Sequence, residues 1–339
     1  MISRRHFLID AVRMAAVARL APLAVSNIPQ PHVRTASFFR WERVHDDAWV
    51  VFNGGGNVLV IADPSGAIVI DSKELGMGQS LHDEIVARHG RIAAVVITHH
   101  HEDHSGGYGA FTNVRGIAHG SALPRIRAKA ARVIERARRE PAQLADGILK
   151  SLNSDFDVPR TTESERVVSQ EIASFAAAAP DGMVPAESLT DRSELRIGET
   201  VLELAHAGPA HTDNDIIVRD RRRNLLHAGD LLFHRMHPFI DVSAGGNTPG
   251  WQRALDDVGT KCDGNTTVIA GHGAIGRRAA LDEQRDYFSR LRDTVERARR
   301  EGRTREEILK LPNDAFPAYG FADGWSENLG VILDELEKS

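Results

Sequence analysis

The hydrophobic residues between positions 48 and 73 fall into three short runs that are rich in β-branched side chains. The stretch AWVVFNGGGNVLVIADPSGAIVIDSK separates these runs with the turn sequences NGGGN and DPSG. Glycine, proline, asparagine and aspartate gather at tight turns because they accept or impose the backbone angles that turns require. The pattern therefore predicts three antiparallel strands joined by short turns.

A second pattern follows, in which a short helix leads into a buried strand. Helical spacing covers Leu81 to His89, and Ile92 to Ile97 (IAAVVI) is apolar at every position. A strand of that composition has both faces covered. The chain then continues into ITHHHEDHSGG, where four histidines and two acids follow the end of the strand. Functional side chains gather in such loops because the sheet behind them is rigid.

A long helical region separates the two strand-rich parts of the chain. Ala122 to Glu140 is strongly helix-forming with a basic face, and EIASFAAAA predicts a further helix. We interpret residues 121–187 as a helical insertion that lies over the site as a lid. The basic face is interpreted as solvated, with attraction of an anionic substrate as the alternative.

Strand signals return in the second half of the chain and give way to a helical C-terminal part. The stretches ELRIGETVLELAHA, NDIIVRD, NLLHAGD and TTVIAGHG predict strands, and Thr248 to Val258 predicts a helix. Residues 276–339 are predicted to be helical, with one helix ending at Gly302. Strand-rich and helix-rich stretches thus recur in two halves without an internal sequence repeat.

Composition limits the classes of protein that the chain can represent. Its 339 residues, 42% hydrophobic and 26% charged, are enough for one large domain or two small ones. The formal net charge of −5 and the absence of a long basic block argue against a nucleic-acid partner. Cys262 is the only cysteine, which excludes an internal disulfide framework and a thiolate metal cluster. A bound metal must therefore be held by histidine and carboxylate.

The first 26 residues differ from the rest of the sequence. They begin with SRRHFL around paired arginines, continue with an alanine-rich apolar run and end with AVS before Asn27. This arrangement resembles a twin-arginine export signal, so we expect the mature protein in the periplasm. An amphipathic helix is the alternative, because Asp10, Arg13 and Arg19 interrupt the apolar run. The run is too short and too charged for stable membrane insertion.

Histidines and acids recur where predicted strands give way to loops. They comprise five histidines and two aspartates, namely His99, His101, Asp103, His104, His211, Asp230 and His272. Seven such ligands are enough for two metal ions that share one carboxylate. Nitrogen and carboxylate ligands favour zinc, with manganese and iron as the alternatives.

The pattern T-H-x-H-x-D-H from Thr98 to His104, followed by His211, Asp230 and His272, resembles that of the metallo-β-lactamase-fold hydrolases. The resemblance covers nearly the whole chain after residue 26, so we expect a single domain over residues 27–339. It implies an α/β fold, an αβ/βα four-layer sandwich with a helical insertion and a dinuclear centre at its edge. The ligand sets it implies are, for the first metal, His99, His101 and His211; for the second, Asp103, His104 and His272; and, as the bridge, Asp230.

Residues near these ligands also need an interpretation. His100 and Glu102 occupy the variable positions of the motif, and we expect them to point away from the metals in supporting or solvated roles. Asp71 matches an aspartate that the family places behind the ligands, and we expect it to orient a histidine or the motif backbone. For His234 and His237, contact with the substrate and simple packing stand as equal alternatives.

The resemblance and the ligands together imply hydrolysis. Water between two divalent ions ionises far more readily than bulk water, whose pKa of about 15.7 compares with about 7 for water on zinc. We expect Asp103 to orient the resulting hydroxide and to take part in proton transfer. The expected substrate is a small molecule with an ester, lactone, thioester or amide bond. The oligomeric state is not readable from the sequence.

Three alternative functions remain at this stage. Asp230 stands where some lactamase subclasses carry a cysteine, and it resembles the glyoxalase II and lactonase group instead, which weakens the alternative of β-lactamase activity proper. A mononuclear-iron persulfide dioxygenase uses two histidines and an aspartate, and these are present. A non-catalytic metal-binding protein is the third alternative, although such relatives tend to have lost ligands that this chain keeps.

Overall fold

The computed structural model describes residues 37–338. Its first sheet contains β1 (Arg40–His45), β2 (Ala48–Phe52), β3 (Val58–Ile61), β4 (Ala67–Ile70), β5 (Ile92–Val96), β6 (Arg115–His119) and β7 (Glu187–Leu189). The strands lie in chain order, antiparallel from β1 to β4 and parallel from β4 to β7. The three strands predicted between positions 48 and 73 are confirmed as β2, β3 and β4. Strands β1, β6 and β7 were not predicted from the sequence, and β1 escaped because RWERVH is largely polar and partly exposed.

The second sheet is formed by the strands predicted in the second half. It contains β8 (Arg192–Ile197), β9 (Thr200–His206), β10 (Ile216–Asp220), β11 (Leu225–His227) and β13 (Thr267–Ile269). Their order is β13-β11-β10-β9-β8, and only β11 and β13 are parallel. A separate parallel pair joins β12 (Phe233–His234) to β14 (His272–Gly273).

Residues 37–338 form nine α-helices, and the longer ones cover the outer faces of the two sheets. They are α1 (Gly78–His89), α2 (Glu102–Ser105), α3 (Ala122–Arg139), α4 (Pro141–Asp155), α5 (Thr162–Ala177), α6 (Thr248–Thr260), α7 (Arg278–Arg300), α8 (Arg305–Leu309) and α9 (Gly324–Glu337). The helices predicted at 81–89, 122–140 and 248–258 are confirmed within three residues at each end. Within the insertion, α4 was not predicted.

Alternating residues of the central strands divide between two hydrophobic cores. In β3, Val58 and Val60 pack with helices α1 and α3 to α5, whereas Leu59 and Ile61 face the second sheet. A third core joins Ile217 and other residues of the second sheet to helices α6, α7 and α9. Because side chains of a strand alternate between its faces, each sheet is covered on both sides. The four layers run helix, sheet, sheet, helix, which confirms the αβ/βα sandwich.

The insertion helices belong to the core of the first half. Ile126 of α3, Leu149 of α4 and Ile172 of α5 are 2–4% exposed and pack into the same core as α1. Burial of a large aliphatic side chain contributes about 1.5–3 kcal/mol. The insertion is therefore part of the folded body, and its role as a lid over the site stays a prediction.

Two polar anchors hold the insertion in place. Glu171 of α5 accepts hydrogen bonds from the backbone N–H groups of Gly78 and Gln79, at 3.3 and 3.1 Å, where α1 begins. Arg125 of α3 forms a two-point ion pair with Asp213, at 2.6 and 2.9 Å. Asp213 lies in the loop after β9, so the insertion is joined to a loop that also carries a predicted ligand.

The C-terminal helices complete the outer core of the second half. Phe288 and Leu291 of α7 and Leu329 of α9 are fully buried. Within residues 37–338, no helix combines the length and apolar character needed to cross a membrane. The predicted export signal at residues 1–26 lies outside the described residues.

Candidate metal centre

Four strand ends bring the predicted ligands to one edge of the sandwich. The chain after β5 carries the HHHEDH motif, and the loops after β9, β11 and β13 carry His211, Asp230 and His272. The motif closes into the short helix α2, with His101 at its N-terminal boundary. All seven predicted ligands lie at this edge in two clusters that meet at Asp230. Their role as metal ligands stays a prediction.

His99, His101 and His211 form the first trio. His101 Nδ1 lies 3.0 Å from His99 Nε2 and 2.9 Å from His211 Nε2, and the last two atoms are 3.3 Å apart. Ligands bound tetrahedrally to zinc at about 2.0–2.1 Å are separated from one another by roughly 3.3 Å. The three nitrogens are thus spaced as ligands of a single ion.

Asp103, His104 and His272 form the second trio. Asp103 Oδ2 lies 3.0 Å from His272 Nε2 and 3.3 Å from His104 Nε2, and the two nitrogens are 3.3 Å apart. These separations repeat those of the first trio with one carboxylate oxygen in place of a nitrogen. The donor set of nitrogen and hard oxygen suits zinc and other divalent transition metals.

Asp230 lies between the two trios. Its Oδ2 is 3.4 Å from His272 Nε2, 3.5 Å from His211 Nε2 and 3.8 Å from His99 Nε2. Its Oδ1 is 3.1 Å from His104 Nε2, yet it is buried without a hydrogen bond from any described residue. A buried carboxylate oxygen without a partner is costly. A cation on each side would satisfy it, so the residues fit a centre of two ions.

The local charges divide the histidines into two kinds. Burial lowers the pKa of His211 to about 3 and holds that of His99 well below its usual value, so both are neutral nitrogen donors. Burial also acts on His272, but nearby carboxylates, Asp230 first, outweigh it and raise its pKa to about 9. The pKa of His104 is likewise raised. Neutral nitrogens beside an excess of carboxylate charge provide the environment that a divalent cation needs.

Asp71 forms hydrogen bonds with His104 of the second trio and with the motif backbone at Thr98. Its Oδ1 accepts a hydrogen bond from the Thr98 N–H at 2.7 Å, and its Oδ2 contacts Thr98 Oγ1 at 2.8 Å and His104 Nδ1 at 2.7 Å. Asp71 has a φ of 69°, in the left-handed region that few non-glycine residues occupy. The structure thus places it as expected, orienting both a histidine and the motif. With Nδ1 as the donor, His104 Nε2 is left to bind an ion.

Asp241 supports the first trio, and it was not among the residues predicted from the sequence. Its Oδ2 accepts a hydrogen bond from His101 Nε2 at 3.0 Å, and its Oδ1 accepts one from the Ala244 N–H at 3.0 Å. Two residues earlier, the Phe239 carbonyl accepts a hydrogen bond from His211 Nδ1 at 2.7 Å. These acceptors fix the ring tautomers, so the opposite nitrogens of both histidines face the trio. No spacing signal in PFIDVSAGG marks Asp241.

The variable positions of the motif differ in their surroundings. His100 is only 5% exposed, and its Nε2 lies 3.7 Å from Asp241 Oδ2, which also accepts from His101. Asn214 holds it by donating from Nδ2 to His100 Nδ1 at 3.1 Å and by accepting from the His100 N–H at 3.0 Å. Glu102 is partly exposed and lies 4.0 Å from Lys129. His100 therefore supports the loop, whereas Glu102 is solvated.

Two glycines allow the backbone to approach the ligands closely. A Cβ atom at Gly56 would lie 2.5 Å from Nε2 and 2.7 Å from Nδ1 of His104, and one at Gly271 would overlap Asp230 Oδ1. Neither position has room for a side chain while the ligand keeps its place. The sequence analysis interpreted NGGGN only as a turn, because nothing in the sequence shows which ligand the turn contacts.

Asn57, next to this turn, joins it to the loop of His272. Its N–H donates to the Gly271 carbonyl at 2.7 Å, and its Nδ2 donates to the carbonyls of Ala270 and Gly273, both at 2.9 Å. The loop that carries the last predicted ligand is thus held by the first half of the chain.

The remaining candidates have structural contacts. His237 is buried, and its ring contacts Tyr287 Oη at 3.0 Å and Asn313 Nδ2 at 2.9 Å. His234 Nδ1 bonds to the Ala274 carbonyl at 2.9 Å. For these two histidines the structure favours packing over substrate contact. Cys262 lies in the outer core of the second half, and burial raises the pKa of its thiol, as expected for an unreactive residue.

The fold and the site together define a metal-dependent hydrolase built as an αβ/βα sandwich. A family model described as the metallo-beta-lactamase superfamily matches residues 51–272, from β2 to the last predicted ligand. The match spans more than half of the chain, so the chain belongs to the metallo-β-lactamase superfamily and is a hydrolase-type enzyme. No curated protein matches it.

Solved structures share the fold at low sequence identity. The metallo-beta-lactamase DIM-1 is 17% identical, with 73% of this chain and 95% of that chain covered at a TM-score of 0.50. A metallo-beta-lactamase from Pontibacter korlensis is 15% identical, with coverages of 73% and 97% and a TM-score of 0.51. VMB-1 is 16% identical, with coverages of 74% and 97% and a TM-score of 0.50. Such similarity establishes the fold and leaves the substrate open.

Proposed function

We propose that this enzyme is a dinuclear zinc hydrolase that cleaves an ester, lactone, thioester or amide bond in a small molecule. The observation that carries the proposal is the position of Asp230 between two ligand trios. The trios have tetrahedral spacing, and one oxygen of the shared carboxylate is buried without a hydrogen bond. A single ion would occupy one trio and leave the other without a cation.

The seven predicted ligands divide between two ions. The first trio, His99, His101 and His211, would hold one ion, the second trio would hold the other, and Asp230 would bridge them. Manganese and iron are compatible with the same donors, and zinc is the default for a set dominated by imidazole. Two bound divalent ions would supply a hydroxide at neutral pH by lowering the pKa of water from about 15.7 towards about 7.

The protein's own groups orient the reactants. Asp103 is 16% exposed, whereas Asp230 is only 3% exposed, so Asp103 is the acid that faces the open side of the centre. Its Oδ2 contacts His104 and His272, which leaves Oδ1 to orient the attacking water and to accept a proton from it. Asp241 and the Phe239 carbonyl accept hydrogen bonds from the outer nitrogens of His101 and His211, so the inner nitrogens of these two rings would face the first ion.

The choice of bond follows from Asp230. A carboxylate at this position, in place of the cysteine of several lactamase subclasses, resembles the glyoxalase II and lactonase group. We therefore place esters, thioesters and lactones ahead of β-lactams.

The twin-arginine-like segment SRRHFL supports a periplasmic location. Cell fractionation should find the protein in the periplasm, and replacement of Arg4 and Arg5 by lysine should retain it in the cytoplasm.

The decisive experiment combines metal analysis with a substrate screen. Purified protein should contain two zinc ions per chain and hydrolyse one class among aryl esters, lactones, a glutathione thioester, a phosphodiester and a chromogenic β-lactam. Asp230→Asn should lower the metal content from two ions per chain towards one and reduce hydrolysis by about a hundredfold, since it removes the shared charge. Asp256→Asn, at an exposed aspartate of α6, is the matched control and should change neither.

Two results would overturn the proposal. A single iron with oxygen uptake on a persulfide and without hydrolysis would make the protein an oxidoreductase on the same fold. Absence of bound metal after incubation with zinc, manganese or iron would make it non-catalytic.

A further inference from the structure

Exposed hydrophobic side chains concentrate at the metal centre. Among residues 37–338, the exposed large hydrophobic side chains are Val86, Phe239, Val242 and Phe321. Phe239 is 52% exposed, and its ring centroid lies 5.7 Å from that of His101 in the first trio. Phe321 is 41% exposed and lies 6.0 Å from His272 in the second trio. One exposed ring therefore stands beside each trio.

Other aromatic rings contact the trios from the protein interior. Phe233 lies 5.0 Å from His272, and Trp251 lies 5.4 Å from His211. These two rings are at most 3% exposed, so they pack behind the ligands as part of the core. Phe239 and Phe321 differ because their apolar area is open to solvent. Exposed apolar area beside a reactive centre is typical of a surface that a ligand covers.

The backbone fixes the position of both exposed rings. The Phe239 carbonyl accepts the hydrogen bond from His211 Nδ1, so its residue is tied to a predicted ligand. Phe321 has a φ of 56°, a left-handed conformation that is costly for a bulky side chain. Its carbonyl accepts a hydrogen bond from the Gly324 N–H at 2.9 Å, where α9 begins. A phenylalanine in such a conformation is accounted for if its ring contacts a substrate.

We propose that the enzyme selects acyl substrates that carry apolar groups on both sides of the scissile bond. One group packs on Phe239 and the other on Phe321, and we call these two rings the apolar walls of the site. This inference rests on the hydrolase function proposed above and adds the substrate class. Phe321 lies beyond the residues matched by the family model, so membership of the superfamily does not by itself supply this second wall.

Two ester series measure the two walls separately on the zinc-loaded enzyme. The first varies the acyl chain from acetate to octanoate with p-nitrophenol as the constant leaving group, and the second varies the alcohol from methanol to hexanol with benzoate as the constant acyl group. Complete burial of a methylene is worth about fourfold in binding, so half-covered chains should raise kcat/KM by roughly twofold per methylene in both series.

Variants of the two rings should each affect one series. Phe239→Ala should flatten the dependence on chain length in one series, and Phe321→Ala should flatten it in the other. With the longest chain, each variant should lose roughly 30- to 60-fold in kcat/KM in the series that it flattens, the accumulated gain of five or six methylenes, chiefly through KM. Phe239→Leu should keep most of the dependence, and Val86→Ala, the exposed hydrophobic residue of α1, should leave both series unchanged.

A binding measurement separates these effects from folding and catalysis. The inhibition constants of ethanethiol and 2-phenylethanethiol should differ by about tenfold in the wild-type enzyme, and each alanine variant should reduce this difference. Phe321→Asn, which suits a left-handed backbone, should behave as Phe321→Ala does while keeping the thermal midpoint of the wild type.

The outcomes distinguish the two proposals. Hydrolysis with no dependence on chain length, or with a dependence that both alanine variants retain, overturns the apolar-wall inference and leaves the hydrolase intact. Flattening of the same series by both variants overturns the assignment of one wall to each side. Absence of metal and of hydrolysis overturns the proposed function, and the inference fails with it.

Discussion

Substitution of Gly56 by alanine tests whether the closeness of backbone and ligand is essential to the centre. The added Cβ would overlap His104 Cε1 and lie 2.5 Å from His104 Nε2, and ordinary contact begins near 3.4 Å, so the ring must move by at least about 0.9 Å. The ring is fully buried and bonded to Asp71 at 2.7 Å, so this movement breaks established packing. Metal–ligand distances tolerate only about 0.2 Å.

The expected consequence is loss of the ion predicted at the second trio, with the ion at the first trio kept. Metal content should fall from two ions per chain to about one, and kcat/KM should fall by at least a hundredfold. The cost of forcing a methyl group into a packed site should be about 1–3 kcal/mol in the free energy of unfolding, measured by urea denaturation. Metal content is measured by elemental analysis after dialysis against zinc-buffered solution.

A matched substitution in open space provides the control. A Cβ at Gly147 in α4 would meet no atom within 4 Å, so Gly147→Ala should keep both metals and raise stability by about 0.5–1 kcal/mol. If Gly56→Ala retains two ions and activity within about twofold of Gly147→Ala, then His104 is not held against the turn as described.

Three further predictions concern the groups around the ligands. Asp241→Asn should weaken zinc binding at the first trio by about 10–100-fold in competition with a chelator, since it removes the acceptor of His101 Nε2; unchanged affinity would contradict that role. Burial raises the pKa of Glu171 to about 7 from 4.5, so the folded protein binds this proton more tightly than the unfolded chain does. The contribution of the protonated Glu171 carboxyl to the free energy of unfolding is present at low pH. It declines as the pH rises from 4.5 to about 7, by at most about 3 kcal/mol. Urea unfolding of Glu171→Gln should therefore show a weaker decline over that interval, whereas equal slopes would show that the carboxyl is already charged in the fold. Removal of zinc by a chelator should lower the thermal midpoint, and readdition of zinc should restore it, because the ions bind only the folded protein; an unchanged midpoint would mean that no ion is bound.

The ligands could be predicted from the sequence because their signals are local. HHHEDH directly follows an apolar strand, and Asp230 and His272 directly follow two others. Asp241 lies 140 residues from the histidine it supports, and Asn214 lies 114 residues from His100. Such contacts depend on how the loops meet, which no periodicity in the chain describes.

Strand β1 and helix α4, two of the elements that escaped prediction, share a physical cause. Strand β1 is an edge strand whose residues alternate weakly between polar and apolar, so its pairing with β2 decides its structure. Helix α4 contains Gly147 and several polar residues, and burial of Leu149 and Leu152 stabilises it against that weak propensity. In each case tertiary contacts outweigh the local signal.

The junction of the two sheets at the centre has a consequence for the assembly of the predicted metal site. His104 and His272, 168 residues apart, face each other, while the Ile216 N–H donates to the Thr98 carbonyl at 2.8 Å and joins the second sheet to the motif. Separation of the two halves would therefore break up both trios together. Each trio draws its members from both halves, so a fragment that carries only one half of the chain should hold neither trio complete and should bind neither ion.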